Sequence, residues 1–157
     1  LDREKSIFFV KKTILNNWSR AVLLNFLDTD LYERQGKAIS NFEYALPEPQ
    51  SDLAQEITKD PYNFDFVAIR EDYSEKELKD ALMDNITKFL MELGKGFADA
   101  KTIGLIICKS KNNILAKYAV NSSKEPIGIS EYKLSNLLPV EYRASMPTIE
   151  EIENELR

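Results

Sequence analysis

The sequence predicts an α/β fold: a helix-rich N-terminal half, then a parallel strand–helix–strand unit, then a C-terminal helix. Three observations predict it. Leu78, Ala81, Leu82, Ile86, Phe89, Leu90 and Leu93 recur at helical spacing behind a Ser74/Glu77 capping pair. Ile103-Gly-Leu-Ile-Ile-Cys108 is apolar on both faces, as a central parallel strand is. A second strand, Ile127 to Leu134, follows Pro126, with a short helical pattern between the two. Such a unit is expected to be parallel and right-handed.

The elements follow in order. Ile7, Val10, Ile14, Leu15 and Trp18 form one apolar stripe of a first helix, which makes Trp18 a core residue rather than a stacking platform. Ser19 caps a second helix that carries Leu23, Phe26, Leu27 and Leu31 and ends near Gly36. Pro47 and Pro49 break the chain. Ser51 or Asp52 starts a short helix with Leu53 and Ile57 on one side, and Pro61 closes it. Phe64-Asp-Phe-Val-Ala-Ile69 reads as a short strand or an extended segment. The Ser74 helix runs on to a stop at Gly94 and Gly96. Asn112 or Asn113 caps the helix through Ile114, Leu115, Tyr118 and Ala119. A final helix opens at Thr148 with Glu151 and carries Ile149, Ile152 and Leu156. The expected division is 1–60 as a helical extension, 61–98 as an extended segment and first core helix, and 99–157 as late strands and closing helix.

Composition removes whole classes of chemistry. The 157 residues include no histidine and one cysteine. Histidine-dependent nucleophile systems, imidazole acid–base catalysis and a structural zinc site are thereby excluded. Cys108 reads as a buried, inert thiol, and the lone cysteine fits a reducing, cytoplasmic setting. No apolar stretch approaches the roughly 20 residues that span a bilayer.

The net charge is −5, but the charges are segregated. Five lysines and no acidic residue lie between Lys101 and Lys124, whereas five glutamates and two arginines follow from Glu141. Lys109, Lys111, Lys117 and Lys124 are candidate phosphate contacts, with Arg20, Arg34 and Lys37 as further ones. The competing reading is a solvated surface beside a buried strand, and few aromatics are interleaved for base stacking.

One feature of this inventory resists a complete fold. Two or three parallel strands are too few for such apolar strands, which need neighbours on both edges.

Longer runs carry a resemblance. Asn17-Trp-Ser-Arg20, Leu31-Tyr-Glu-Arg-Gln-Gly-Lys37, Asn41-Phe42, Leu46-Pro-Glu-Pro-Gln-Ser-Asp-Leu-Ala54 and Lys59-Asp-Pro-Tyr-Asn-Phe-Asp-Phe66 resemble the YhcG-like bacterial proteins with a PD-(D/E)XK nuclease domain. Glu75-Lys-Glu-Leu78, Phe89-Leu90, Glu92-Leu-Gly94 and Gly96-Phe97 resemble it too, and so do Thr102 to Lys111, Ile127 to Leu134 and Pro147 to Glu151. The resemblance implies a restriction-endonuclease-like core that hydrolyses DNA phosphodiesters with Mg2+ or Mn2+.

It also exposes a gap. In the family, the helix ending Glu-Leu-Gly-x-Gly-Phe leads into a β-meander with the metal-binding aspartate, then a Glu-x-Lys strand and another helix. Here Ala98 is followed by Asp99-Ala-Lys101 and the late strand. The core is therefore expected to be incomplete, with no catalytic and no metal-binding residues. Without two converging carboxylates no cation is held to lower the pKa of an attacking water, and the lysine that would stabilise charge is missing with them.

Two patterns imitate the missing site. Glu131-Tyr-Lys133 places a carboxylate and an ammonium on one strand face, with Asp65 as an imaginable partner. The resemblance, however, puts Glu131 after the nuclease core. Glu77 could stand for the acid that related folds take from the first core helix, but its capping role accounts for it. The expected function is a DNA nuclease or its catalytically incomplete remnant. The alternative is a non-enzymatic nucleic-acid-binding or assembly module, because strands stripped of neighbours leave edges open to another copy.

Overall fold

The protein is described by a computed structural model, which covers residues 2–94 and 103–138. The predicted closing helix and the junction at Ala98–Lys101 lie outside these residues.

α1 (Arg3–Asn16) ends at Asn17, whose left-handed backbone turns the chain. Its burial reverses the expected stripe: Phe9 is buried, while Ile7, Val10, Ile14 and Leu15 are exposed. The aromatic pair prevails because Phe8 and Phe9 meet edge to face, with Phe8 also against Tyr32. Trp18 packs where expected, its ring centroid 4.6 Å from that of Phe26. α2 (Arg20–Asp28) is capped by Ser19, whose hydroxyl accepts from the Val22 amide. The predicted continuous helix to Gly36 is instead broken at Thr29–Asp30, and α3 (Leu31–Arg34) follows as a separate turn.

β1 (Ile39–Ser40), α4 (Phe42–Ala45) and α5 (Gln50–Ile57) come next. α5 buries Ser51 and Ala54 and leaves Leu53 exposed, so small residues rather than the predicted Leu53 face the core. β2 (Tyr62–Asn63) and β3 (Ile69–Arg70) flank a turn that buries Phe64 and Val67. The predicted extended segment at Phe64–Ile69 is thus mostly the turn between two short strands, and Ile69 alone of its residues lies in one. α6 (Glu75–Asp84) carries the predicted capping box. The predicted long helix breaks at Asn85, whose side chain donates to the Ala81 carbonyl, and α7 (Ile86–Leu93) continues to Gly94 at φ +90°.

β4 (Gly104–Cys108), α8 (Asn113–Ser122) and β5 (Ile127–Lys133) form the predicted parallel unit, and β6 (Leu137–Leu138) pairs with β3 in a second small sheet. β5 is the axis of the main sheet. On one side it pairs in parallel with β4 over five residues; on the other it pairs antiparallel with β1 and then parallel with β2. The sheet therefore also draws a strand from the helix-rich N-terminal half. At Gly128 the missing side chain admits Phe42, whose ring would lie 3.1 Å from a Cβ there. One core lies between the sheet and α6–α7, centred on Phe64 against Tyr132 and Phe89. A smaller one joins Ala116 and Val120 of α8 to Ile129. No helix among the described residues is long and apolar enough to cross a membrane.

Candidate functional site

Several of the candidate charges are consumed inside the fold. Arg34, at the end of α3, is buried against α7. Its Nε donates to the Thr29 carbonyl at 2.6 Å, Nη1 to the Pro61 carbonyl and to Glu92, and Nη2 to Thr29 Oγ1 and Glu92 Oε2. Those five bonds exhaust the guanidinium's donors. Arg34 is therefore corrected from a candidate phosphate contact to a structural lock. Glu92 also accepts the Asn63 amide at 2.8 Å. Beside it Lys59 donates to the carbonyls of Glu92 and Leu93 at the end of α7, and burial pushes its ammonium pKa down to about 8 against the pull of the Glu92 carboxylate.

A second lock ties the loop after α5 to the sheet. Lys111 pairs with Asp60, and its side chain is 8% exposed. The other Asp60 oxygen accepts the Glu131 amide at 2.9 Å, while Glu131 Oε1 accepts the Lys111 amide at 2.9 Å. Lys111 is thus corrected in the same way, because its charge is neutralised and covered. Glu131, half of the apparent Glu-x-Lys, spends its carboxylate on loop backbone. Asp65 accepts the Ser135 amide, and Glu77 closes the helix cap.

Asn41 makes a third lock: its Nδ2 donates to the carbonyls of Val120, Ser123 and Glu125, and its Oδ1 accepts the Ile127 amide.

These commitments decide whether a divalent cation fits. Such an ion needs converging oxygen ligands. Among the described residues no three His, Cys, Asp or Glu side chains gather closely enough to hold one. Among the described residues the donor set does not suit the divalent cation that the resemblance implies.

The other candidate cations are exposed. Arg20 is the first residue of α2, Lys37 lies between α3 and β1, Lys109 follows β4, Lys117 rides on α8, and Lys124 sits between α8 and β5. They come from different elements, and one of them, Lys109, stands over an aromatic ring. Lys109 Nζ stands 5.0 Å from the centroid of Tyr73, whose hydroxyl meets that of Tyr132 at 2.7 Å. Burial, and then that hydroxyl contact, raise the Tyr132 phenol above its ordinary range. Lys124 lines an open groove of about 520 Å³ with Asn41, Tyr44, Val120 and Asn121. Tyr44 is 81% exposed there, and Tyr118 stands exposed one residue after Lys117.

Sequence reading missed Tyr44, which comes from α4 and shares the groove with Lys124 only through the fold. Cys108, expected to be buried, is half-buried; its thiol donates to the Ser130 carbonyl at 3.4 Å, and burial raises its pKa.

The profile described as "YhcG PDDEXK nuclease domain" matches residues 55–100 and 98–147. The Escherichia coli (strain K12) protein named "Putative nuclease YhcG" is 30% identical over 96 residues, covering 58% of this chain and 25% of that protein. The chain thus spans about a quarter of that relative's length. No solved structure matches.

Proposed function

The chain belongs to the YhcG PDDEXK nuclease domain family, and from that premise we propose that it binds DNA without cleaving it. The observation that carries this reading is the commitment of the core carboxylates. Asp60, Asp65, Glu92 and Glu131 each spend a carboxylate oxygen on a backbone amide, and among the described residues no three His, Cys, Asp or Glu side chains gather as a cation site. Metal-activated water is the nucleophile this chemistry needs. The two family matches meet at residues 98–100, which supports a core whose central segment is missing at that point.

Binding is assigned to the α8 side. Lys117 and Lys124 supply phosphate neutralisation, and the exposed rings of Tyr44 and Tyr118 offer stacking surfaces beside them. Lys109, Arg20 and Lys37 add charge outside that groove.

Fluorescence anisotropy with labelled single-stranded and duplex DNA, repeated across salt concentrations, tests the binding. Affinity should fall linearly on a log–log plot, and Lys117→Ala and Lys124→Ala should each lower the slope by about 1. In the same tubes Mg2+ or Mn2+ should give no cleavage. Metal-dependent nicking that EDTA abolishes would refute the non-cleaving reading, and absence of binding at low salt would refute the binding one.

A further inference from the structure

We infer that the free edge of β4 pairs with the β4 of a second copy, antiparallel, about a two-fold axis at Ile106. This does not depend on the nucleic-acid reading. Gly104 donates its amide to Pro126 at 2.7 Å, and the register with β5 fixes the alternation from there. Gly104, Ile106 and Cys108 point their backbone groups at β5. Leu105 and Ile107 point theirs at the opposite edge, where no strand pairs with them among the described residues. An edge of this kind is a template for another strand, and β4 lacks the charged and proline residues that protect many edges: within Gly104–Cys108 there is neither.

The side chains fit a second copy. Leu105 and Ile107 pack on the α6–α7 core and Cys108 on the α8 core, which leaves Ile106 on the α8 side, 48% exposed. α8 packs over β1 and β5, and Ile106 beside it stays half exposed. Antiparallel pairing about Ile106 sets Leu105 opposite the partner's Ile107 in both directions and completes four backbone hydrogen bonds. Ile106 then meets its own copy as the closely spaced, non-hydrogen-bonded pair, and each Cys108 falls opposite a glycine, Gly104, which offers no side chain to clash.

Charge selects the antiparallel direction. A parallel pairing would set Lys109 beside its own copy. The antiparallel one separates the two lysines by about six strand residues, roughly 20 Å, well past the screening length at physiological salt. A five-residue ladder is smaller than a standard stable interface, so dimerisation depends on concentration.

Sedimentation equilibrium of the full chain from about 5 to about 500 µM should show the mass rising from 18.1 kDa toward twice that value. Ile106→Lys puts two ammonium groups face to face at the axis and should weaken association at least about tenfold, with an unchanged circular dichroism spectrum. Ile114→Lys, on the outer face of α8, should leave association as it was. Ile106→Cys should oxidise to a covalent dimer, because the axial pair lies about 4.5 Å apart between Cα atoms. The native Cys108 pair, about 13 Å apart in this register, should not. A mass of 18.1 kDa at every concentration would overturn the inference, as would dimers that Ile114→Lys rather than Ile106→Lys removes.

Discussion

At the junction of α3 and α7 the charged groups are partnered: Arg34 spends five donors, Glu92 takes two of them together with an amide, and Lys59 caps the helix end, while the adjacent Tyr62 hydroxyl is buried without a hydrogen-bond partner. Along β4 the reverse holds, with backbone donors and acceptors that face no strand among the described residues and an exposed isoleucine beside them. The first region behaves as a charge-paired interior, the second as an open edge. The comparison separates charged residues that are spent on holding the scaffold together from a strand edge that the described residues leave unpaired. A charged residue in a family motif is therefore not by that fact a functional one; Arg34, Lys59 and Glu92 lie in the runs that carry the resemblance and hold the fold together.

The sharpest way to break that contrast is at the charge-paired junction. Glu92→Ala leaves Arg34 buried without its counter-charge and the Asn63 amide without an acceptor, and should cost about 3–5 kcal/mol in urea unfolding. Asn41→Ala orphans the carbonyls and the amide that one side chain now serves around β1, α8 and β5. Its expected cost is about 2–3 kcal/mol by the same measurement.

Lys59 offers a titration of the same interior. Its folded pKa of about 8 lies below the unfolded 10.5, so between those values the unfolded chain holds the extra proton and stability rises with pH. Relative to Lys59→Met, the wild type should gain about 2–3 kcal/mol across that window. The difference between the two proteins removes the opposing contribution of the tyrosines, whose raised pKa values lower stability as pH climbs past 10. At the β4 edge the smallest effect is expected: Ile106→Ser in dilute protein should lower monomer stability by about 1 kcal/mol.

What the sequence discloses and what it hides divide along the same line. Local signals were legible: the Ser19 cap, the Ser74/Glu77 box, the Gly94 stop, the parallel unit and the core placement of Trp18. Each is settled within a few residues. The break at Asn85 was hidden because an asparagine side chain ends the helix by bonding one turn back, with neither glycine nor proline to announce it. The break at Asp30 was hidden for a related reason, since it rests on a left-handed aspartate. The first helix misled because it has apolar residues on two faces, and only the arrival of Tyr32 decides which one is buried. Arg34 and Lys111 could not be told from Lys117 or Lys124 by composition. Their partners sit 58 and 51 residues away, and burial of that kind belongs to the fold rather than to the local pattern. The placement of Tyr44 in the same groove as Lys124 was hidden for the same reason, since the two lie far apart in the chain.

The central claim is that the scaffold persists without a metal-binding donor set, and the most direct test is a Mn2+ titration of the purified chain followed by electron paramagnetic resonance of the free ion. The account predicts that the free-ion signal stays proportional to the Mn2+ added, with no stoichiometric site below about 1 mM. One equivalent of Mn2+ bound at micromolar affinity, and released by Mg2+, would contradict it.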